Sequence, residues 1–76
     1  MQLATKLSIG QSATIARLAQ TPLALKLLEL GCLPGVHITL LRIAPLGSPY
    51  YFKIGEHLNL ALRKNEADEI FITIDK

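Results

Sequence analysis

The chain is 76 residues long, with half of them hydrophobic, 18% charged and a formal net charge of +2. That length leaves no room for two independent cores, and an apolar half with little net charge favours collapse over disorder. Cys32 is the only cysteine, so an internal disulfide framework is excluded.

The predicted elements follow in chain order. Residues 1–7 form a lead-in anchored by Leu3 and Leu7, and Ser8-Ile9-Gly10 turns into a strand over Gln11–Leu18. There Ala13, Ile15 and Arg17 alternate with Thr14, Ala16 and Leu18. Thr21-Pro22 opens a helix running to Leu30: threonine caps free N–H groups, and proline at the first position loses no hydrogen bond. Gly31 then ends it. Leu23, Ala24, Leu27, Leu28 and Leu30 share one broad face, with Lys26 and Glu29 opposite. Leu25 falls on the polar side, outside the apolar arc.

After the turn Cys32-Leu33-Pro34-Gly35, a strand over Val36–Ile43 becomes apolar on both faces toward its end, which predicts a central position. Ala44-Pro45-Leu46-Gly47-Ser48-Pro49 cannot continue a ladder, because proline offers no N–H. Tyr50–Ile54 is the next strand, with Tyr50, Phe52 and Ile54 on one side. A tight hairpin at Gly55-Glu56 leads to a strand lined by Leu58, Leu60 and Leu62. Residues 64–68 make a helical turn or loop, and Ile70, Ile72 and Ile74 are the inward row of a fifth strand. Five short half-buried strands and one helix predict a mainly β fold, a small barrel that curls its aliphatic rows inward and is plugged by the helix.

Chemistry has few footholds in this pattern. Cys32, His37 and His57 match no nucleophile motif. Cys32-x₄-His37 with His57 would supply three ligands to a transition metal, but without the paired close spacing that structural sites show. Glu56, Glu66, Asp68, Glu69 and Asp75 read as solvated charges of turns and of the terminal strand. The eight lysines and arginines are scattered along the chain, where a nucleic-acid reader would gather them, so no nucleic-acid partner is expected. Tyr50, Tyr51 and Phe52 read as a core row with one surface ring. No run reaches the ~18 apolar residues of a spanning helix. The N-terminus lacks the cationic start and apolar run of a secretory signal, and the expectation is a cytoplasmic protein with one domain over residues 1–76. Two features stand out: Leu25 beside Lys26 and Glu29, and the Ala44–Pro49 loop with Leu46 in its middle. Such a loop is either a structural corner or a docking surface.

At the level of motifs, Lys26-Leu27-Leu28-Glu29-Leu30-Gly31-Cys32-Leu33-Pro34-Gly35 resembles the RLxELGxxPG signature of FeoA domains. Ala44-Pro45-Leu46-Gly47-Ser48-Pro49 is similar to their APLGDP loop, and Asn59-Leu60-Ala61-Leu62-Arg63-Lys64-Asn65-Glu66-Ala67 to their LALRxxEA element. Order and spacing agree from about Leu7 to Ile74. The resemblance implies an SH3-like barrel with an inserted helix, and a non-enzymatic accessory role in ferrous-iron uptake without a cofactor. It also implies contact with the cytosolic part of the FeoB permease, which carries a GTP-binding domain. Lys26 stands where the signature has arginine, losing a planar bidentate donor. Ser48 stands where the loop usually has aspartate, removing a carboxylate.

These observations make Leu25, Lys26, Glu29, Pro45, Leu46 and Pro49 the expected partner-binding residues. Weak pairing with a second copy through an exposed edge strand is a further expectation. Two other readings are a stand-alone metal sensor, related to the SH3-like domains of iron-dependent repressors, and a peptide adaptor. For the latter an aromatic content of 5% is low.

Overall fold

The computed structural model describes residues 1–75. Its elements are β1 (Gln2–Leu3), a 3-10 turn at Ala4–Lys6, β2 (Ser12–Leu18), α1 (Pro22–Glu29), β3 (His37–Ile43), β4 (Tyr50–Ile54), β5 (Leu58–Leu62), α2 (Lys64–Ala67) and β6 (Ile70–Ile74). All strand pairs are antiparallel, in the order β1-β6-β2-β3-β4-β5. β3 is central, as its two-sided apolar end predicts. Where five strands are expected there are six. β1 spans two residues, too few for any alternation to register in the sequence.

The sheet rolls up without closing. Its extents of 29 × 28 × 24 Å are nearly equal, whereas a flat sheet would be about 10 Å thick. Yet β1 pairs only with β6 and β5 only with β4, so the roll keeps an open seam that a closed barrel would lack. Inside lies one cluster led by Phe52, Ile15, Leu27, Ile38, Leu40, Ile70, Ile72 and Cys32, each under 2% exposed. The predicted inward rows of β4 and β6 supply much of it, and Tyr50 stacks on Phe52 with ring centroids 6.2 Å apart.

Two β-bulges drive the curl. Ile15 faces Ile72 and Arg17 faces Phe71, which leaves Ala16 as the extra residue. Likewise Leu40 faces Phe52 and Arg42 faces Tyr51, with Leu41 extra. A bulge bends its strand, adds twist and shifts the side-chain phase by one residue. That shift corrects the alternation read for β2: Leu18, not Arg17, joins Ala13 and Ile15 inside. Each displaced arginine then lies over an aromatic ring of the neighbouring strand, Arg17 at 3.9 Å from the Phe71 centroid and Arg42 at 3.8 Å from that of Tyr51.

α1 is capped as predicted. The Thr21 hydroxyl oxygen accepts from the Ala24 N–H at 3.0 Å while its proton goes to the Glu69 carboxylate, also at 3.0 Å. At the other end the Gly31 N–H donates to the Leu28 carbonyl and the Cys32 N–H to the Leu27 carbonyl, both at 3.0 Å. This Schellman pair requires a left-handed residue, which Gly31 provides at φ +111°. A Cβ there would also meet Leu58 Cδ2 at 3.2 Å. The buried arc of α1 is narrower than its leucines suggest: Ala24 and Leu27 are buried, whereas Leu30 is exposed. Leu30 is the C-cap, where the chain already turns away from the helix face. Cys32 follows into the core, and burial pushes its thiol pKa up to about 11, so it stays protonated and unreactive near neutrality.

A side-chain hydrogen bond adds to the β1–β6 ladder in tying the two end regions of the chain together. Thr5 Oγ1 donates to Asp68 Oδ1 at 2.7 Å, and Lys64 Nζ reaches the other carboxylate oxygen at 3.3 Å. The Thr5 hydroxyl foremost holds the Asp68 carboxyl below its ordinary value; burial opposes it, and Lys64 and then Lys6 add to the lowering. A depressed carboxyl pKa contributes stability that is complete above the unfolded value of about 3.9 and is lost as pH falls through the folded value. Thr5→Val is therefore expected to move the acid-unfolding midpoint to higher pH, with a smaller stability difference from the parent at the acid end than at neutrality. Circular dichroism against pH checks both.

Candidate docking surface

The outer side of α1 carries more apolar surface than its sequence predicts. Leu25 is 58% exposed, with Lys26 and Glu29 exposed beside it. Leu25 also forms one wall of an open groove of about 590 Å³, together with Leu18, Ala19, Pro22, Leu28 and Pro34. Next to Pro34, Leu33 is exposed as well. Sequence reasoning assigns Leu33-Pro34 to a turn and misses them as surface. Their signal is an apolar pair placed directly after the helix stop, where turns are usually polar.

The Ala44–Pro49 loop is pinned at its base and bare at its tip. The Ala44 N–H donates to the Pro49 carbonyl at 3.0 Å, and the Gly47 N–H donates to the Ala44 carbonyl at 2.8 Å. The inner turn is completed by Gly47 at φ +86°. Ser48, the residue that departs from the family loop, bonds to the start of α2, where its Oγ accepts the Lys64 N–H at 3.3 Å. It thereby meets one of the free donors of that helix. The Glu66 carboxylate accepts another, from the Arg63 N–H at 2.7 Å. Pro45 is exposed, Pro49 half-buried, and Leu46 is 98% exposed.

The six expected residues thus fall on two platforms. Leu25, Lys26 and Glu29 belong to α1, where Leu25 alone of the three lines the groove, whereas Pro45, Leu46 and Pro49 belong to a loop whose outside hydrogen bond runs to α2. No loop residue lines the α1 groove.

The remaining polar groups are dispersed. His37 Nδ1 lies 3.3 Å from Asp75 on the outer side of the sheet, and Thr14 Oγ1 donates to the same carboxylate at 2.9 Å. His57 projects from the β4–β5 hairpin near Glu56 at 3.8 Å, with both side chains at least 90% exposed. Cys32 is inside the core. Among the described residues, no three histidine, cysteine or acidic side chains converge, and no helix is long and apolar enough to cross a membrane.

Comparisons with known proteins agree with this architecture. Among solved structures, the chain is similar to iron(II) transport protein A from Clostridium thermocellum, with 39% identity and a TM-score of 0.86 over 96% of this chain and 45% of that one. It is also similar to the FeoA protein from Chlorobium tepidum, with 31% identity and a TM-score of 0.86 over 96% of this chain and 70% of that one. The first comparison means that this chain spans less than half of that relative's length. A third similarity is to the zinc-complexed FeoA of Stenotrophomonas maltophilia, described as a prokaryotic SH3 domain protein. At 23% identity, a TM-score of 0.83 and coverage of 95% and 89%, it shows the shared SH3-like fold. Among curated proteins none matches. The family model of the FeoA domain, however, matches residues 1–74, and the chain belongs to the FeoA family.

Proposed function

We propose that this chain, as a single domain over residues 1–76, is a non-enzymatic cytoplasmic accessory of ferrous-iron transport. It would act by binding the cytosolic region of a FeoB-type permease and modulating uptake. The observation that carries the reading is Leu46: a leucine 98% exposed, on a loop pinned by its own hydrogen bonds. An isolated exposed leucine is ordinary, but one presented on a pre-ordered loop loses little further entropy on docking. The groove beside Leu25 supports the same reading with a second, largely apolar platform. The interior is filled by aliphatic and aromatic side chains, with no buried polar or charged side chain among the described residues, so recognition belongs to the outside of the roll.

Titrating isotope-labelled protein with the isolated cytosolic region of the permease tests the proposal. Amide shifts are expected at Leu25, Lys26, Glu29, Leu46 and the neighbours of Pro45 and Pro49. An unchanged spectrum at saturating partner would remove it. Shifts confined to one platform would reduce the docking surface to that platform.

A further inference from the structure

We propose that β5 pairs antiparallel with β5 of a second copy about a twofold axis at Leu60. This inference uses a different part of the molecule from the docking surface above and does not depend on it. β5 borders the open seam and, among the described residues, pairs with β4 alone. The phase of its free backbone groups follows from one hydrogen bond: the Gly55 N–H donates to the His37 carbonyl at 2.8 Å, which turns the odd-numbered residues of β4 toward β3. Backbone groups alternate in direction along a strand. Tyr50, Phe52 and Ile54 therefore face β5 and bond their register partners Leu62, Leu60 and Leu58. The N–H and C=O groups of Asn59 and Ala61 are left pointing away from the sheet.

A second copy fits these groups in one register. With Leu60 opposite Leu60, Asn59 of each copy stands opposite Ala61 of the other, and four N–H···O bonds close. Natural edges are commonly guarded by lysine, proline or an inward charge, and Leu58–Leu62 has none of these. The charges sit instead at the two ends, with opposite sign: Glu56 precedes the strand, and Arg63 and Lys64 follow it. Antiparallel pairing brings the Glu56 end of each strand to the Arg63-Lys64 end of the other, twice per dimer, whereas parallel pairing would put like charges together. The Glu56 side chain is 90% exposed and that of Lys64 is 61% exposed; within the chain they meet His57 at 3.8 Å and Asp68 at 3.3 Å, solvent-exposed contacts that pairing would exchange for the intermolecular ones. The opposite edge, β1, has only two residues and offers no comparable ladder.

Sedimentation velocity over a concentration series, with amide shifts recorded in parallel, tests the proposal. A weak monomer–dimer equilibrium is expected, with concentration-dependent shifts centred on Asn59 and Ala61. Ala61→Pro removes an outward N–H that the β4–β5 ladder does not use, and is expected to abolish the dimer. Glu56→Lys leaves the strand untouched and checks the idea even if the proline variant fails to fold. It is expected to weaken pairing roughly fivefold, as two exposed ion pairs are lost, and adding Lys64→Glu to it should restore the parental affinity. A chain that stays monomeric at millimolar concentration overturns the proposal. So does a dimer whose shifts map away from β5, or one indifferent to both charge reversals.

Discussion

Phe52→Ala is expected to remove a large share of the protein's stability, about 3–5 kcal/mol. Phe52 is the largest of the side chains with essentially no exposure, and it stands in β4 between Leu40 of β3 and Leu60 of β5. It belongs to the core cluster, and it stacks on Tyr50. Truncating a buried phenylalanine costs about 3–5 kcal/mol, because the transfer free energy is lost and the cavity does not fully collapse. A chain of 76 residues has a total stability of only roughly 4–11 kcal/mol at about 0.05–0.15 kcal/mol per residue. One side chain therefore represents a large share of the whole, and no second core exists to hold the remainder together. Urea denaturation followed by far-UV circular dichroism measures the loss. A change below about 1 kcal/mol would mean that the packing around Phe52 is not what holds the roll closed.

That sensitivity explains which parts of the fold are readable from sequence. The boundaries of α1 depend on residue chemistry within a single turn. Thr21 accepts one N–H, Pro22 needs no partner, and Gly31 takes the left-handed conformation, so the helix is legible with its final residue off by one. The rows Tyr50-Phe52-Ile54 and Ile70-Ile72-Ile74 are legible because an uninterrupted strand keeps its period of two. β2 and β3 do not keep it. Ala16 and Leu41 are single inserted residues with ordinary strand chemistry, and nothing in composition separates a bulge from continued alternation. Strict alternation consequently places Arg17 and Leu18 on the wrong faces. The outward position of Leu25 is legible from the helical period. The groove beside it is not, because its walls come from β2, α1 and the Pro34 turn, which only the tertiary fold brings together. The role of Ser48 at the start of α2 is hidden for the same reason, since its partner lies 16 residues away.

For the docking surface, the decisive variant is Leu46→Asp. Burying a leucine fully is worth about 1.5–3 kcal/mol, and an anchoring interface residue contributes about 2 kcal/mol or more. The substitution is thus expected to weaken binding to the permease's cytosolic region by roughly 30-fold or more, the equivalent of that 2 kcal/mol. The folded state has little to lose: the side chain is 98% exposed, and the bonds that pin the loop are made by the backbones of Ala44, Gly47 and Pro49 and by Ser48 Oγ. Its unfolding midpoint should stay within about 2–4 °C of the parent's, as for a surface change of about 0.5 kcal/mol. Leu25→Asp makes the matching test on the other platform, and if both platforms meet one partner the two losses should be separable by isothermal titration. The two readings of the loop diverge here. A structural corner predicts a lower midpoint with affinity intact once the fraction folded is taken into account, whereas a docking surface predicts the reverse. Unchanged affinity in the Leu46→Asp protein would remove the loop from the interface.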